Sequence, residues 1–202
     1  MFSLLNKFVG DKQMIVYHID RNNTLKEGLE IQLKLLNNPN NFFVQTLFPD
    51  GLSMHGLHYV DETLQHNQGN LAEYYSLEYE YELVRRIYFS KLPSRFQSFF
   101  ALRNLDQIKQ WNDVFSNQDI VWEVEIENSF FIERDSNLLR PTLTKEESNN
   151  NEILHFSPNN SFYYSYLYWN GARTETPRAE LLIPLNQQSI KIKGIVGTVD
   201  SI

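Results

Sequence analysis

Three short apolar segments, well separated along the chain, each carry a polar or ionisable side chain where a buried strand is expected. They span residues 17–20 (YHID), 93–101 (PSRFQSFFA) and 177–184 (PRAELLIP). An ionisable group in a buried strand costs free energy unless it meets a partner or a ligand. One such residue would mean little, but three in one small domain predict strands that converge on a common cleft.

The size and composition of the chain predict one compact domain over residues 1–202. The chain has 202 residues, of which 42% are hydrophobic, and this is enough for a sizeable core. It contains no cysteine, which excludes disulfides, thiolate metal sites and a cysteine nucleophile. The net charge of -7 argues against a diffuse nucleic-acid binder and confines any such contact to a local patch.

The apolar N-terminus, residues 1–9, is interrupted by Asn6 and Lys7 and is too short to span a membrane. It also lacks the small-residue cleavage site that follows a secretory signal. We therefore expect a short helix or strand packed on the domain, a cytoplasmic protein, and no membrane partner.

Hydrophobic periodicity predicts an α+β domain whose second half is mostly antiparallel. A helix over residues 71–88 has apolar side chains at helical spacing and would expose Arg85. A helix over residues 24–33 would begin at the N-cap Thr24, and another over residues 104–115 at the N-cap Asn104. Strands are predicted over residues 14–19, 120–126, 180–184 and 190–196, and residues 96–102 are predicted to be a strand or an extended entry into the helix that begins at Asn104.

Breaker residues and polar runs assign the remaining segments to irregular structure. Residues 42–61 contain two glycines and a proline. Residues 135–160 are polar and rich in asparagine, and they predict a long surface excursion with one short helix from Thr144. The aromatic run over residues 162–169 ends at Asn170-Gly171, which is a turn signal.

The sequence contains no motif for metal, phosphate or nucleophilic chemistry. His55 and His58 are three residues apart and His66 is near them, but no zinc signature such as HExxH includes them. The glycine patterns of P-loop and Rossmann sites and the GxSxG elbow are also absent. We expect these histidines to be solvated or to face a substrate, without a bound metal.

Each polar residue of the three segments also has a purely structural explanation. His18 could be a core histidine bonded to a backbone group, and Ser98 could simply pack. Glu180 is harder to explain in this way, because glutamate is rarely buried without a partner. An ion pair with Arg178 or Arg173, or a place on an edge strand facing water, would account for it.

Together, the three segments resemble the ADP-ribosyltransferase superfamily. In that superfamily a histidine on the first strand, a Ser/aromatic segment on a central strand and a glutamate on a late strand bind NAD. The start, Tyr17-His18-Ile19 followed by Leu25 and Gly28-Leu29, is similar to the tRNA 2′-phosphotransferase, PARP-like and DarT-like branches. Over about residues 14–196 the chain looks like a bacterial family of ADP-ribosyltransferase-like domains in which strings of the PSRFQSFFA and RAELLIP types recur.

The resemblance implies a split antiparallel β-sheet core with flanking helices and NAD as co-substrate. Glu180 and His18 would be catalytic. Glu180 would stabilise the oxocarbenium-like state that forms when the nicotinamide–ribose bond breaks, and His18 would hydrogen-bond a ribose hydroxyl. The residues that bind NAD would be Tyr17, His18, Arg95, Ser98, Phe99 and Phe100. Within this set Arg95, with Arg21 as second candidate, would meet the diphosphate, and Phe99 or Phe100 would stack on the nicotinamide. Tyr168, Trp169 and Arg173 would contact the target from the loop that leads to Glu180.

The implied activity is transfer of ADP-ribose from NAD to a protein or nucleic-acid target. A toxin or phage-defence effector, with an antitoxin or inhibitor protein as partner, fits this activity. Arg178 stands where arginine-specific members carry the first glutamate of a Glu-x-Glu pair, which disfavours arginine as the acceptor. Two other functions stay open. One is a non-catalytic module on the same scaffold that binds NAD, a nucleotide or a partner. The other is a phosphotransferase acting on a 2′-phosphorylated RNA end.

Overall fold

The computed structural model describes residues 13–36, 42–60, 71–127, 130–148 and 151–202 and confirms the predicted α+β class. The strands are β1 Met14–Asp20, β2 Glu30–Ile31, β3 Ser98–Ala101, β4 Ile120–Ile126, β5 Ile132–Asp135, β6 Leu143–Ser148, β7 Asn151–Phe156, β8 Ala179–Pro184 and β9 Ile190–Thr198. The α-helices are α1 Phe42–Leu47, α2 Met54–Val60, α3 Leu71–Tyr88 and α4 Pro158–Asn170. Short 3₁₀ segments cover Arg95–Gln97, Leu105–Trp111, Ser136–Leu138 and Val199–Ser201.

Two antiparallel sheets meet at a seam between β1 and β3. The first sheet has the strand order β1-β4-β9-β2 and the second has the order β3-β8-β5. At the seam, the backbone N–H of Tyr17 donates to the Leu102 carbonyl at 2.8 Å, and the N–H of Leu102 donates to the Tyr17 carbonyl at 2.7 Å. The sheet curls at this point, so that β3 alone separates β1 from β8.

Strand β8 is buried along its whole length because protein covers both of its faces. Leu181 and Ile183 belong to a cluster built from both sheets, which also contains Val16 and Trp122. Leu182 points the other way, since side chains alternate along a strand, and it packs under α3 and α4. The other buried members of this second cluster are Leu77, Tyr81, Val84, Leu138, Tyr168 and Trp169. A polar side chain on β8 is therefore surrounded by protein.

The long helix and the Asn104 cap are confirmed. Helix α3 spans Leu71–Tyr88. The Asn104 side chain accepts from the Gln107 backbone N–H at 3.2 Å. The Gln107 side chain in turn accepts from the Asn104 backbone N–H, which completes a capping box. The segment that follows is a 3₁₀ helix and not the predicted α-helix. Arg85 is buried, contrary to its predicted exposure, because its guanidinium binds the Glu82 carboxylate.

The predicted helix over residues 24–33 is wrong. The Asp20 carboxylate accepts hydrogen bonds from the backbone N–H groups of Asn22 and Leu25 and from the Thr24 hydroxyl, so it closes a turn where a helix would begin. Gly28 then takes a positive φ of 76°, and the chain extends into β2.

Two further predictions for connecting segments are wrong. Helices α1 and α2 occupy the stretch predicted to be irregular. Gly56 lies within α2, where it allows close approach to Phe96, since a Cβ at this position would overlap the Phe96 carbonyl. The antiparallel pair β6–β7 replaces the short helix from Thr144. The aromatic run forms α4, and the predicted turn at Asn170-Gly171 is the end of this helix, where Gly171 takes the left-handed conformation.

The predicted N-terminal helix or strand over residues 1–9 and the residue His66 lie outside the described residues. Among the helices that the structure does describe, none combines the length and the apolar character needed to cross a bilayer.

The buried carboxylate of Asp135 fixes the loop that leads into β8. It accepts hydrogen bonds from the backbone N–H groups of Thr174, Arg178 and Asn137 and from the Thr174 hydroxyl. Asp135→Ala leaves these donors unsatisfied, so we expect the free energy of unfolding to fall by about 2–3 kcal/mol in urea titrations. Asp113→Ala, which removes an exposed carboxylate paired with Arg178, is the control and should cost much less. Equal losses in the two variants would contradict the assignment.

Candidate active site

The structure brings the strands that carry the three polar segments together. Strands β1, β3 and β8 lie side by side across the seam, and Arg95 lies in the 3₁₀ turn that leads into β3. The side chains of the three polar segments are divided between the two sides of β3, because residues alternate along a strand. Glu180 and Phe100 lie on the side of α3 and α4, whereas His18 lies against Phe99.

Glu180 forms a buried ion pair with Arg95. Arg95 Nη1 donates to Glu180 Oε1 at 2.6 Å, and the Tyr168 hydroxyl donates to the same oxygen at 2.7 Å. Glu180 is 6% exposed and Arg95 is 4% exposed. None of the described residues hydrogen-bonds Glu180 Oε2. Glu180 thus has the partner that its burial requires, and the partner is Arg95 instead of Arg178 or Arg173.

A second carboxylate holds the opposite side of Arg95. Glu78, on α3, accepts from Arg95 Nε and Nη2 at 2.9 Å each. Burial opposes ionisation of Glu78, but the charges of Arg95 and His55 outweigh burial and lower the pKa of Glu78 below its ordinary value. His55 Nε2 lies 3.2 Å from Glu78 Oε1 and contributes to the lowering of the Glu78 pKa. Arg95 therefore divides its charge between two carboxylates.

Tyr168 and Trp169 lie inside the fold. Both belong to α4, and their exposed fractions are 0% and 1%. The Tyr168 hydroxyl accepts from Arg95 Nη1 at 2.6 Å while it donates to Glu180, and burial raises the pKa of Tyr168 well above its ordinary value. Trp169 Nε1 donates to the Tyr81 carbonyl at 2.7 Å. The prediction that the two rings lie in a loop is wrong, because α4 turns both into the core, where neither is open to a target.

His18 is held by the backbone of β3. Its Nδ1 lies 2.7 Å from the Phe100 carbonyl oxygen, and its ring centre lies 4.5 Å from that of Phe99. Burial lowers the pKa of His18, although the Phe100 carbonyl and Asp20 act in the opposite direction. Among the described residues, no hydrogen bond or ion pair joins His18 to Glu180. The structural explanation, a histidine bonded to a backbone group, accounts for these contacts.

The other residues of the predicted NAD-binding set have different surroundings. Ser98 is buried, and its hydroxyl donates to the Ser94 carbonyl at 2.7 Å. Phe99 packs in the cluster shared by both sheets, and Tyr17 packs on the opposite face with Ile19 and Leu102. Phe100 is half-buried, with the Arg95 guanidinium 4.8 Å and the His55 ring 4.5 Å from its ring centre. Phe100 is the aromatic residue that accompanies the charged network.

Arg173 lies in the loop that leads into β8, where the sequence placed it. Its side chain is 53% exposed and pairs with Glu133 at 2.5 Å. Arg178 pairs with Asp113 at 2.7 Å. Of the three residues predicted to contact a target, Arg173 is the one whose side chain is accessible.

Sequence reasoning missed Glu78, and it considered His55 only as a metal ligand or as a solvated or substrate-facing histidine, not as a neighbour of a buried glutamate. Glu78 follows Leu77 on α3, and His55 lies on α2. The available signal was a glutamate beside the apolar positions of an amphipathic helix, where an acidic residue is normally solvated. That pattern cannot reveal an arginine arriving from another element.

The histidines form no metal centre with other ligands in the described part of the chain. No group of three or more His, Asp or Glu side chains there could hold a metal ion. His55 and His58 both lie on α2.

The fold and the site define a class of protein: an α+β domain with a buried Glu–Arg–Glu network under a curled antiparallel sheet. Residues 16–194 match the family described as Protein of unknown function (DUF2441), and the chain belongs to this family. No curated protein matches the chain.

Replacement of Arg95 tests the network as a unit. Arg95→Met leaves two buried carboxylates without their cation, so we expect the free energy of unfolding to fall by about 3–5 kcal/mol. Adding Glu78→Gln and Glu180→Gln removes those charges and should recover much of the loss. Urea unfolding at neutral pH measures both effects. A triple variant no more stable than Arg95→Met would refute this description of the network.

The lowered pKa of Glu78 affects stability in acid. The ordinary pKa is 4.5 and the folded-state pKa lies below it, so Glu78 stabilises the fold above about pH 5. That contribution is lost as the pH falls through the folded-state pKa. We therefore expect the free energy of unfolding of the wild-type protein to fall more steeply below about pH 5 than that of Glu78→Gln. Urea unfolding measures both pH dependences. Parallel curves for the wild-type protein and Glu78→Gln would contradict this role of Glu78.

Proposed function

We propose that this chain uses NAD to transfer ADP-ribose, with Glu180 as the catalytic carboxylate. The observation that carries the proposal is the geometry of Glu180. Arg95 and Tyr168 both bond to its Oε1, and no described residue bonds to Oε2. One oxygen is thus held in place while the other is left for a ligand.

A carboxylate in this position suits cleavage of the nicotinamide–ribose bond. The C1′–N1 bond breaks, its electron pair leaves with neutral nicotinamide, and the ribose acquires oxocarbenium character. Glu180 Oε2 would accept a hydrogen bond from the ribose 2′-hydroxyl and stabilise the positive charge. The acceptor group then bonds to C1′ and loses its proton.

The arrangement of the strands supports the same proposal. The resemblance to ADP-ribosyltransferases requires that the strands carrying the histidine, the Ser/aromatic segment and the glutamate be neighbours, and β1, β3 and β8 are. Phe100, beside Arg95 and half-buried, is the aromatic residue best placed to stack on nicotinamide. His18 lies on the other side of β3, against Phe99, so we assign it no contact with the ribose beside Glu180.

We assign the NAD diphosphate to Arg21 instead of to Arg95, the first candidate from the sequence. Each guanidinium nitrogen of Arg95 already has a partner within the protein. Arg21, exposed just after β1 and 4.9 Å over the Phe115 ring, is therefore the better candidate for the NAD diphosphate. Arg173 would approach a protein or nucleic-acid target from the loop before β8. A role as a toxin or phage-defence effector held in check by an inhibitor protein fits this activity.

A second candidate is a non-catalytic module that binds NAD, a nucleotide or a partner on the same scaffold. The observation in its favour is the enclosure of Glu180, which is 6% exposed and paired with Arg95. Such a module would bind NAD without releasing nicotinamide.

Calorimetry with NAD and a nicotinamide-release assay separate these functions. We expect the wild-type protein to bind NAD and release nicotinamide, and Glu180→Gln to lose turnover by about 100-fold or more while staying folded. Glu82→Gln is the matched control, since Glu82 is a buried glutamate held by arginines on α3 and should retain turnover. Binding without turnover would favour the module. A wild-type protein that neither binds NAD nor transfers label from it to an extract would overturn the proposal.

A further inference from the structure

Arg95 is committed within the protein. Its Nε and Nη2 bind Glu78, and its Nη1 binds Glu180 and Tyr168. The guanidinium also lies 4.8 Å from the centre of the Phe100 ring. An anionic ligand would have to displace one of these groups to reach it. The contacts indicate a role inside the site instead of a role in binding a phosphate.

We propose that Arg95 is a positioning residue for Glu180, and that Glu78 sets how much of the Arg95 charge acts on Glu180. This inference rests on the proposed function, since it assigns the residues that orient the proposed catalytic carboxylate. Arg95 and Tyr168 together fix Oε1, which fixes the direction of Oε2. Glu78 holds the other edge of the same guanidinium.

Few charged groups surround Arg95. The titratable or charged side chains that face it or its carboxylates come from five elements: His55 and Tyr59 on α2, Glu78 and Tyr81 on α3, Tyr168 on α4, Glu180 on β8, and Arg134, the register partner of Glu180, on β5. Burial keeps these tyrosines as neutral phenols, because it raises the pKa of each. Two carboxylates thus share the hydrogen bonds of one guanidinium, and His55 supplies a further positive charge only when protonated. The Arg134 guanidinium donates to the Trp169 carbonyl instead of to either carboxylate. Neutralising Glu78 leaves Arg95 to Glu180 alone.

The same helix offers a matched control. Glu82 lies four residues after Glu78 on α3 and is also buried. Its carboxylate binds Arg85, Arg86 and the Ser94 hydroxyl, and among the described hydrogen bonds and ion pairs none joins it to Arg95. Glu82→Gln therefore removes a comparable buried charge without changing the partners of Arg95.

The test is a pH titration of ¹³C-labelled glutamate carboxyl groups by NMR in NAD-free protein. The Glu180 signal is assigned by its loss in Glu180→Gln. We expect Glu180 to titrate about one pH unit lower in Glu78→Gln and about one unit higher in Arg95→Lys, which loses the forked geometry. Glu82→Gln should leave the titration unchanged. Folded Glu78→Gln and Arg95→Lys proteins with an unmoved Glu180 signal would overturn the inference, as would an equal shift in Glu82→Gln.

NAD kinetics separate this inference from the proposed function. In Arg95→Lys we expect kcat to fall about tenfold or more and KM for NAD to stay within about twofold. A KM raised about tenfold with unchanged kcat would make Arg95 a diphosphate ligand and overturn the inference. Shifted titrations without any turnover would instead reject the proposed function and leave the coupling of Glu78, Arg95 and Glu180 in place.

Discussion

The buried guanidinium of Arg95 joins three parts of the fold. It binds Glu78 on α3, Tyr168 on α4 and Glu180 on β8. Charges removed from water cost several kcal/mol each, and the cost is offset only when each charge has a partner with good geometry. One side chain thus links both helices to the second sheet, in addition to the apolar cluster around Leu182. Any movement of α3 or α4 away from β8 would separate Arg95 from a hydrogen-bond partner and leave a buried charge without that partner.

Patterns within single elements predicted the strands of the site well. The alternation over residues 120–126 and the apolar runs over 14–19 and 180–184 correspond to β4, β1 and β8. The sequence also indicated that Glu180 needs a partner, because its neighbours are apolar. It could not identify that partner, since Arg95 lies 85 residues earlier and reaches Glu180 only after β3 and β8 pair.

Two of the failed predictions show which interactions override a local sequence signal. The Thr24 N-cap signal lost to the Asp20 carboxylate, which accepts the nearby backbone N–H groups and closes a turn. The aromatic run before β8 has the composition of a strand, but Pro158 at its start and Gly171 after its end are helix boundary signals. Burial of Tyr168 and Trp169 under β8 then favours the helix over intrinsic preference.

The seam between the two sheets has a mechanical consequence. Within the described residues, β1 and β3 are joined by the Tyr17–Leu102 bridge, whereas β1 and β4 pair over seven positions. A single bridge places little restraint on the angle between two sheets, because the strands can pivot about it without breaking a ladder. The volumes of the side chains packed between the sheets, such as Trp122 and Phe99, therefore set that angle. In this fold, the angle between the two sheets is a property of packing and not of backbone pairing.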